Sequence, residues 1–166
     1  MMAPPLPGTL QGMRVSGLLL LLAVAGCGGG GRLPAAGTAS GVECAPFARA
    51  ESGVQLYGEA YTWWAGASGR YDRGATPRPG AVLVFRRTGR LPSGHVSVVT
   101  EAGRPGEIRV SQANWVHGRI TRDEQVVDVS SGHDWTAVRV WWAPAGALGA
   151  TTYPTYGFVG PAPGTP

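Results

Sequence analysis

The chain has 166 residues and a formal charge of +4, from 14 basic residues, all of them arginine, against 10 acidic ones. That length suits one compact domain after processing and hardly two. The arginines are scattered and never alternate with aromatics in a run, so nucleic-acid binding has little support, and weak attraction to an anionic polymer or surface stays open.

The N-terminus reads as a targeting segment. Met13-Arg14 gives a positive start, and Val15 to Ala25 is apolar, with an unbroken leucine run from Leu18 to Leu22. The apolar stretch is too short to cross a bilayer as a helix but suits the core of a secretory signal. It ends in Val24-Ala25-Gly26-Cys27, which resembles the bacterial lipobox. The resemblance implies that Cys27 is lipidated and becomes the first residue of an exported protein, anchored in the bacterial cell envelope on its periplasmic or outer face. The other reading is ordinary signal cleavage after Ala25 or Gly26, leaving Cys27 as a free thiol. Residues 1–12 add nothing to such a signal, which makes Met13 a candidate start. Residues 28–40 form a Gly-, Ala- and Pro-rich tether with no apolar period, able to let a domain wander roughly 20 Å from its anchor. The folded part is expected to begin near Gly41.

Beyond the leader, Cys44 is the only thiol. A single cysteine cannot form an intramolecular disulfide, so either packing or chemistry accounts for it. The stretch Glu43-Cys44-Ala45-Pro46-Phe47-Ala48-Arg49 predicts a short helix, with Pro46 in the first turn and Gly53 at the C-terminal cap. Cys44 then falls at the helix N-terminus, where free N–H groups and the macrodipole favour a thiolate. A small buried side chain at a helix start is the plainer alternative.

Residues 59–67 predict a second short helix carrying Tyr61, Trp63 and Trp64, and Thr76-Pro77-Arg78-Pro79-Gly80 a rigid turn. Strands are predicted over 81–86, 95–100, 107–114, 124–129 and 138–142, with a Gly/Pro hairpin loop at 101–106. Helices followed by antiparallel strands predict an α+β domain over 41–143. Residues 144–166 turn Pro/Gly-rich and are expected to form a disordered tail, although Tyr153, Tyr156 and Phe158 offer docking side chains.

The hairpin carries the chemistry. Closing the loop at 101–106 pairs Thr100 with Glu107 or with Arg109, which sets His95 opposite Gln112 or Asn114. Side chains alternate with period two, so both amides share the face of His95 in either register. If the Cys44 helix packs across that end of the sheet, a thiol, an imidazole and a carboxamide converge, the nucleophile, base and orienter of a cysteine hydrolase. His117 and His133 lie in Gly-flanked or polar stretches and read as solvated.

E-C-A-P-F-A-R, P-R-P-G-A-V-L-V-F, S-G-H-V-S-V-V, S-Q-A-N-W and W-T-A-V-R-V-W-W follow in the order and spacing of a CHAP domain, the cysteine, histidine-dependent amidohydrolase/peptidase domain of bacteria and their phages. The resemblance runs from about Val42 to Trp142. It implies a papain-like α+β fold, short N-terminal helices packed on an antiparallel sheet, and cleavage of amide bonds in peptidoglycan stem peptides or cross-bridges. Carried over by position, Cys44 is the nucleophile, His95 the base and Asn114 the residue that orients the imidazole, with Gln112 as an accessory. Trp63 and Trp64 resemble a paired aromatic feature of the family. They are candidates for a substrate groove, or else for one core and one partly exposed side chain. Trp115 is the third groove candidate, or a shield over the His95–amide contact.

The chain departs from the family pattern in three places. Val42-Glu43 stands where many members have Gly-Gln, Gln112 where some carry a glutamate, and residues 38–43 hold no aspartate, so neither a calcium site nor any other metal or cofactor is expected. A different class of function stays open: a catalytically silent module on the same scaffold that binds peptidoglycan peptides.

Overall fold

The computed structural model describes residues 42–160; the signal segment with Cys27, the tether at 28–40 and residues 161–166 lie outside the described residues. The first element forms where local sequence predicts it. Helix α1 (Cys44–Ser52) starts after an extended Glu43 and stops at Gly53, whose φ of 72° turns its N–H back onto the Arg49 carbonyl at 3.1 Å. Only glycine adopts that left-handed cap without strain. A 3₁₀ turn (Ala60–Thr62) runs directly into α2 (Trp63–Gly66), so the helix expected over 59–67 exists in two short pieces.

The described strands are β1 (Asp72–Gly74), β2 (Val82–Phe85), β3 (His95–Arg104), β4 (Glu107–Ala113), β5 (Ile120–Asp128), β6 (Ala137–Trp142), β7 (Ala147–Leu148) and β8 (Tyr153–Gly160). They pair antiparallel in the order β1-β8-β2-β3-β4-β5-β6-β7, and β8 also pairs with β6. That extra pairing closes six strands, β2 to β6 with β8, into a barrel, with β1 and β7 attached at its margin.

The expectation of a papain-like α+β domain is thereby corrected. Strands hold 41% of the described residues against 16% for helices, and the two helices are too short to form a layer of their own. The cause lies in the C-terminal stretch. Residues 144–160, expected to trail away, instead provide β7 and β8. Pro154 and Gly157 mask the strand signal, yet Thr155, Phe158 and Val159 are buried, and β8 reaches β2 on one side and β6 on the other. Full closure leaves those six strands without an exposed edge.

Closure divides the apolar side chains into two sets. Leu83, Phe85, Val99, Ile108, Val110, Val126, Val138 and Phe158 fill the barrel. Val82, Val84, Val96, Val98 and Val159 face outward and are covered by Ala48 of α1, by Val54 and Leu56, and by Trp63 of α2, with Cys44 packed at the margin. Neighbours on β3 thus point to opposite sides, Val96 outward and His95 inward.

Candidate active site

His95 opens β3, and the residue before it sets its position. Gly94 has φ 68°, and a Cβ there would lie 2.7 Å from the Tyr61 N and 2.9 Å from the Phe85 O. Any larger residue would push the strand start away from β2, so the glycine is a steric requirement of placing the histidine. The ring is walled by Phe85 and Trp115, with centroids 5.4 and 5.0 Å away.

Its polar contact is on the next strand. His95 Nε2 lies 2.9 Å from Gln112 Oε1, and the same amide donates through Nε2 to Glu124 Oε2 at 2.7 Å. Thr121 Oγ1 donates to that carboxylate oxygen at 2.6 Å. A row of side chains therefore crosses β3, β4 and β5, and His95, Gln112 and Glu124 are 4%, 0% and 6% exposed. A β-bulge makes the row. Val110 pairs with Glu124 but Gln112 with Thr121, so β5 has one residue more than β4 over this stretch, and Asp123 absorbs it at φ 52°. Thr121 and Glu124, three apart, would face opposite sides of a regular strand; the bulge turns both inward.

The orienting contact expected from Asn114 is thus made by Gln112. Strand β3 runs on to Arg104, so the loop expected at 101–106 is largely strand, and bulges set Arg109 opposite Glu101. Near His95 the hairpin holds one of the two expected offsets, pairing Val98 with Ser111 and Val99 with Val110. On paper that sets Asn114 directly across from His95. The strand ends first: β4 stops at Ala113, and Asn114 has φ 61°, which breaks the alternation. Its Oδ1 accepts from the Gly118 N–H at 2.9 Å and its Nδ2 lies 3.4 Å from Glu43 Oε2. Among the described residues it makes no hydrogen bond to His95.

Cys44 sits half-buried at the first turn of α1, which packs on β3 and β4. Burial raises its thiol above the ordinary value, and the adjacent Glu43 carboxylate adds to the rise, while the backbone N–H groups of Val96 and Ala45 pull the other way. Burial likewise lowers His95 to about 4, against the lift from the Gln112 hydrogen bond. Thiol and imidazole therefore rest neutral near pH 7, and desolvation outweighs the helix N-terminus. Among the described residues no hydrogen bond joins Cys44 to His95; the helix that carries the thiol packs on the strand that His95 opens.

A cleft of about 410 Å³ opens beside this row, lined by Arg90, Leu91, His95, Asn114, Trp115, Trp142 and Tyr153. Trp115 is the one predicted groove tryptophan that lines it. Trp63 is fully buried against the outer face of the barrel, and Trp64 stacks on Tyr156 at 6.0 Å. Trp142 ends a predicted strand and Tyr153 falls in the stretch expected to be tail, so neither stands among the groove candidates of the sequence. His117 and His133 are exposed and lie outside both the row and the cleft lining.

Fold and site together define a closed antiparallel barrel that carries a buried imidazole–amide–carboxylate row beside a helix-borne thiol. Residues 34–114 match the family model of the CHAP domain, and the chain carries a CHAP domain. The matched stretch holds Cys44, His95, Gln112 and Asn114 and ends before β5, so Glu124 and the closing strands lie beyond it. CHAP domains are amidase- or peptidase-type hydrolase domains related to peptidoglycan. No curated protein matches the chain.

Proposed function

We propose that the protein is a cysteine hydrolase that cleaves amide or peptide bonds in peptidoglycan through a thioester. The observation that carries this reading is the His95–Gln112 contact at the edge of an open cleft, with the only described thiol on the helix packed against the same strand. With Nε2 engaged by Gln112, Nδ1 is the nitrogen left to take the Cys44 proton. The resting pair is neutral, so the proton moves as the thiol attacks the substrate carbonyl, in general-base fashion. First-turn N–H groups of α1, which no side chain caps, are suited to the developing oxyanion. Glu43, an acceptor when ionised, is not, and it takes the Nδ2 of Asn114. His95 then returns its proton to the leaving amine, and water hydrolyses the thioester, regenerating the thiol.

Arg90 is the cation of the cleft and suits a carboxylate on a stem peptide. The lipobox-like Val24-Ala25-Gly26-Cys27 supports export and lipid anchorage at Cys27 in the envelope. A Cys27→Ser form should leave the membrane fraction; one that stays bound removes that part of the reading.

A catalytically silent peptide-binding module is the second reading, favoured by the lack of a Cys44–His95 hydrogen bond among the described residues. Purified sacculi separate the two. The wild type should release fragments identifiable by mass, and Cys44→Ala and His95→Ala should each release none. Binding to sacculi without release by the wild type would favour the silent module.

A further inference from the structure

We infer that Glu124, supported by Thr121, is a positioning residue that fixes the tautomer of His95 through the Gln112 amide. The inference rests on reading His95 as the base. A carboxamide has two ends of opposite character, and a bare imidazole accepts either one: an amide oxygen facing Nε2 selects the Nε2–H ring, an amide nitrogen the Nδ1–H ring. Gln112 by itself therefore leaves two states open, and only one of them leaves Nδ1 free for a thiol.

Glu124 removes the ambiguity. A carboxylate accepts and does not donate, so the amide must turn its Nε2 toward Glu124, where it lies 2.7 Å from Oε2. Its oxygen is then forced onto His95 Nε2 at 2.9 Å, which must carry the proton. Thr121 Oγ1 donates to the same Oε2 at 2.6 Å and holds the carboxylate in place. The bulge itself is tied down, with Thr100 Oγ1 donating to Asp123 Oδ1 at 2.9 Å.

Packing alone does not explain a carboxylate here. Glu124 is 6% exposed, no salt bridge among the described residues includes it, and its Oε1 is buried with no hydrogen-bond partner. An uncompensated buried carboxylate oxygen is costly, and an apolar residue would fill the site more cheaply. The charge has a use when His95 becomes an imidazolium during the reaction, since it is relayed to the ring through the polarised amide. The negative group that would orient a histidine directly thus stands one strand further away, with Gln112 as the link.

The test reads the tautomer directly. In the full chain, uniformly labelled with ¹⁵N, two-bond ¹⁵N–¹H correlation spectra at pH 7 should give a pure Nε2–H ring for His95, assigned with His95→Gln. Glu124→Gln keeps the shape but lets both amides turn over, so both tautomers should appear, with kcat/KM on sacculus fragments falling on the order of 10–10²-fold. The double variant Gln112→Glu/Glu124→Gln exchanges acid and amide and keeps every link of the row; it should restore a single Nε2–H ring and activity to within about threefold of wild type. An Nδ1–H ring in the wild type, an unchanged single tautomer in Glu124→Gln, or an exchange variant as mixed and slow as Glu124→Gln would each overturn the proposal. The spectra need no substrate. If no fragment is cleaved by any form, the hydrolase reading fails while the role of Glu124 is still decided.

Discussion

The two faces of β3 are built by different physics. Its outer face carries Val96 and Val98 under α1, and the thiol of Cys44 packs at its margin. Its inner face carries Val99 and the buried Ser97 inside the barrel and ends in a row of buried polar side chains, each bonded to the next. Apolar packing is non-directional and tolerates repacking, whereas a buried polar row is satisfied in one geometry and costly in others. The thiol side is thus tuned by burial and the imidazole side by direction, although His95 and Val96 are neighbours in the chain.

The contrast between Gln112 and Asn114 gives the largest expected effect. Gln112→Ala should lower kcat by about 10²–10⁴-fold, since it frees the ring, while Asn114→Ala should lose about tenfold or less, because its side chain serves the 114–118 loop and the cleft wall. Steady-state kinetics on both variants at one pH checks this. A larger loss at Asn114 would mean that the ring is held from the other side in the working enzyme.

Acid should expose the cost of burying His95. Its folded value, about 4, lies below the ordinary 6.5, so the unfolded chain binds the extra proton between those values. Stability therefore falls as pH drops from about 6.5 to about 4 and then levels, by up to about 3 kcal/mol from this group. Urea unfolding of the wild type and of His95→Gln across that window should show the slope in the former alone. Parallel curves would place the imidazole in a wetter site.

The outer face gives the smallest effect. With its thiol raised by burial, Cys44 should react with iodoacetamide at pH 7 about tenfold more slowly than in the urea-unfolded chain, and speed up only above pH 9. Equal rates at pH 6 and pH 9 would instead reveal a resident thiolate and an ion pair with His95.

What the sequence determined by itself is what short-range physics controls. Glycine at position 53 ends α1, which sets Cys44 at its start, and period-two alternation sets His95 and Gln112 on one face. Hairpin pairing narrowed the offset beside His95 to two values, one of which is observed there, although β3 runs through the expected loop to Arg104. Three features depended on contacts the local pattern does not encode. Closure of the barrel required β8, whose Pro154 and Gly157 hide a strand that only pairing to both β2 and β6 stabilises. The choice of amide turned on the left-handed φ of Asn114, fixed by the loop it enters. The inward turn of Glu124 needed an extra residue in β5, which shifts the alternation between Thr121 and Glu124. Periodicity is a property of a segment, but bulges and closure are settled between segments, where burial and hydrogen bonding across strands outweigh local preference.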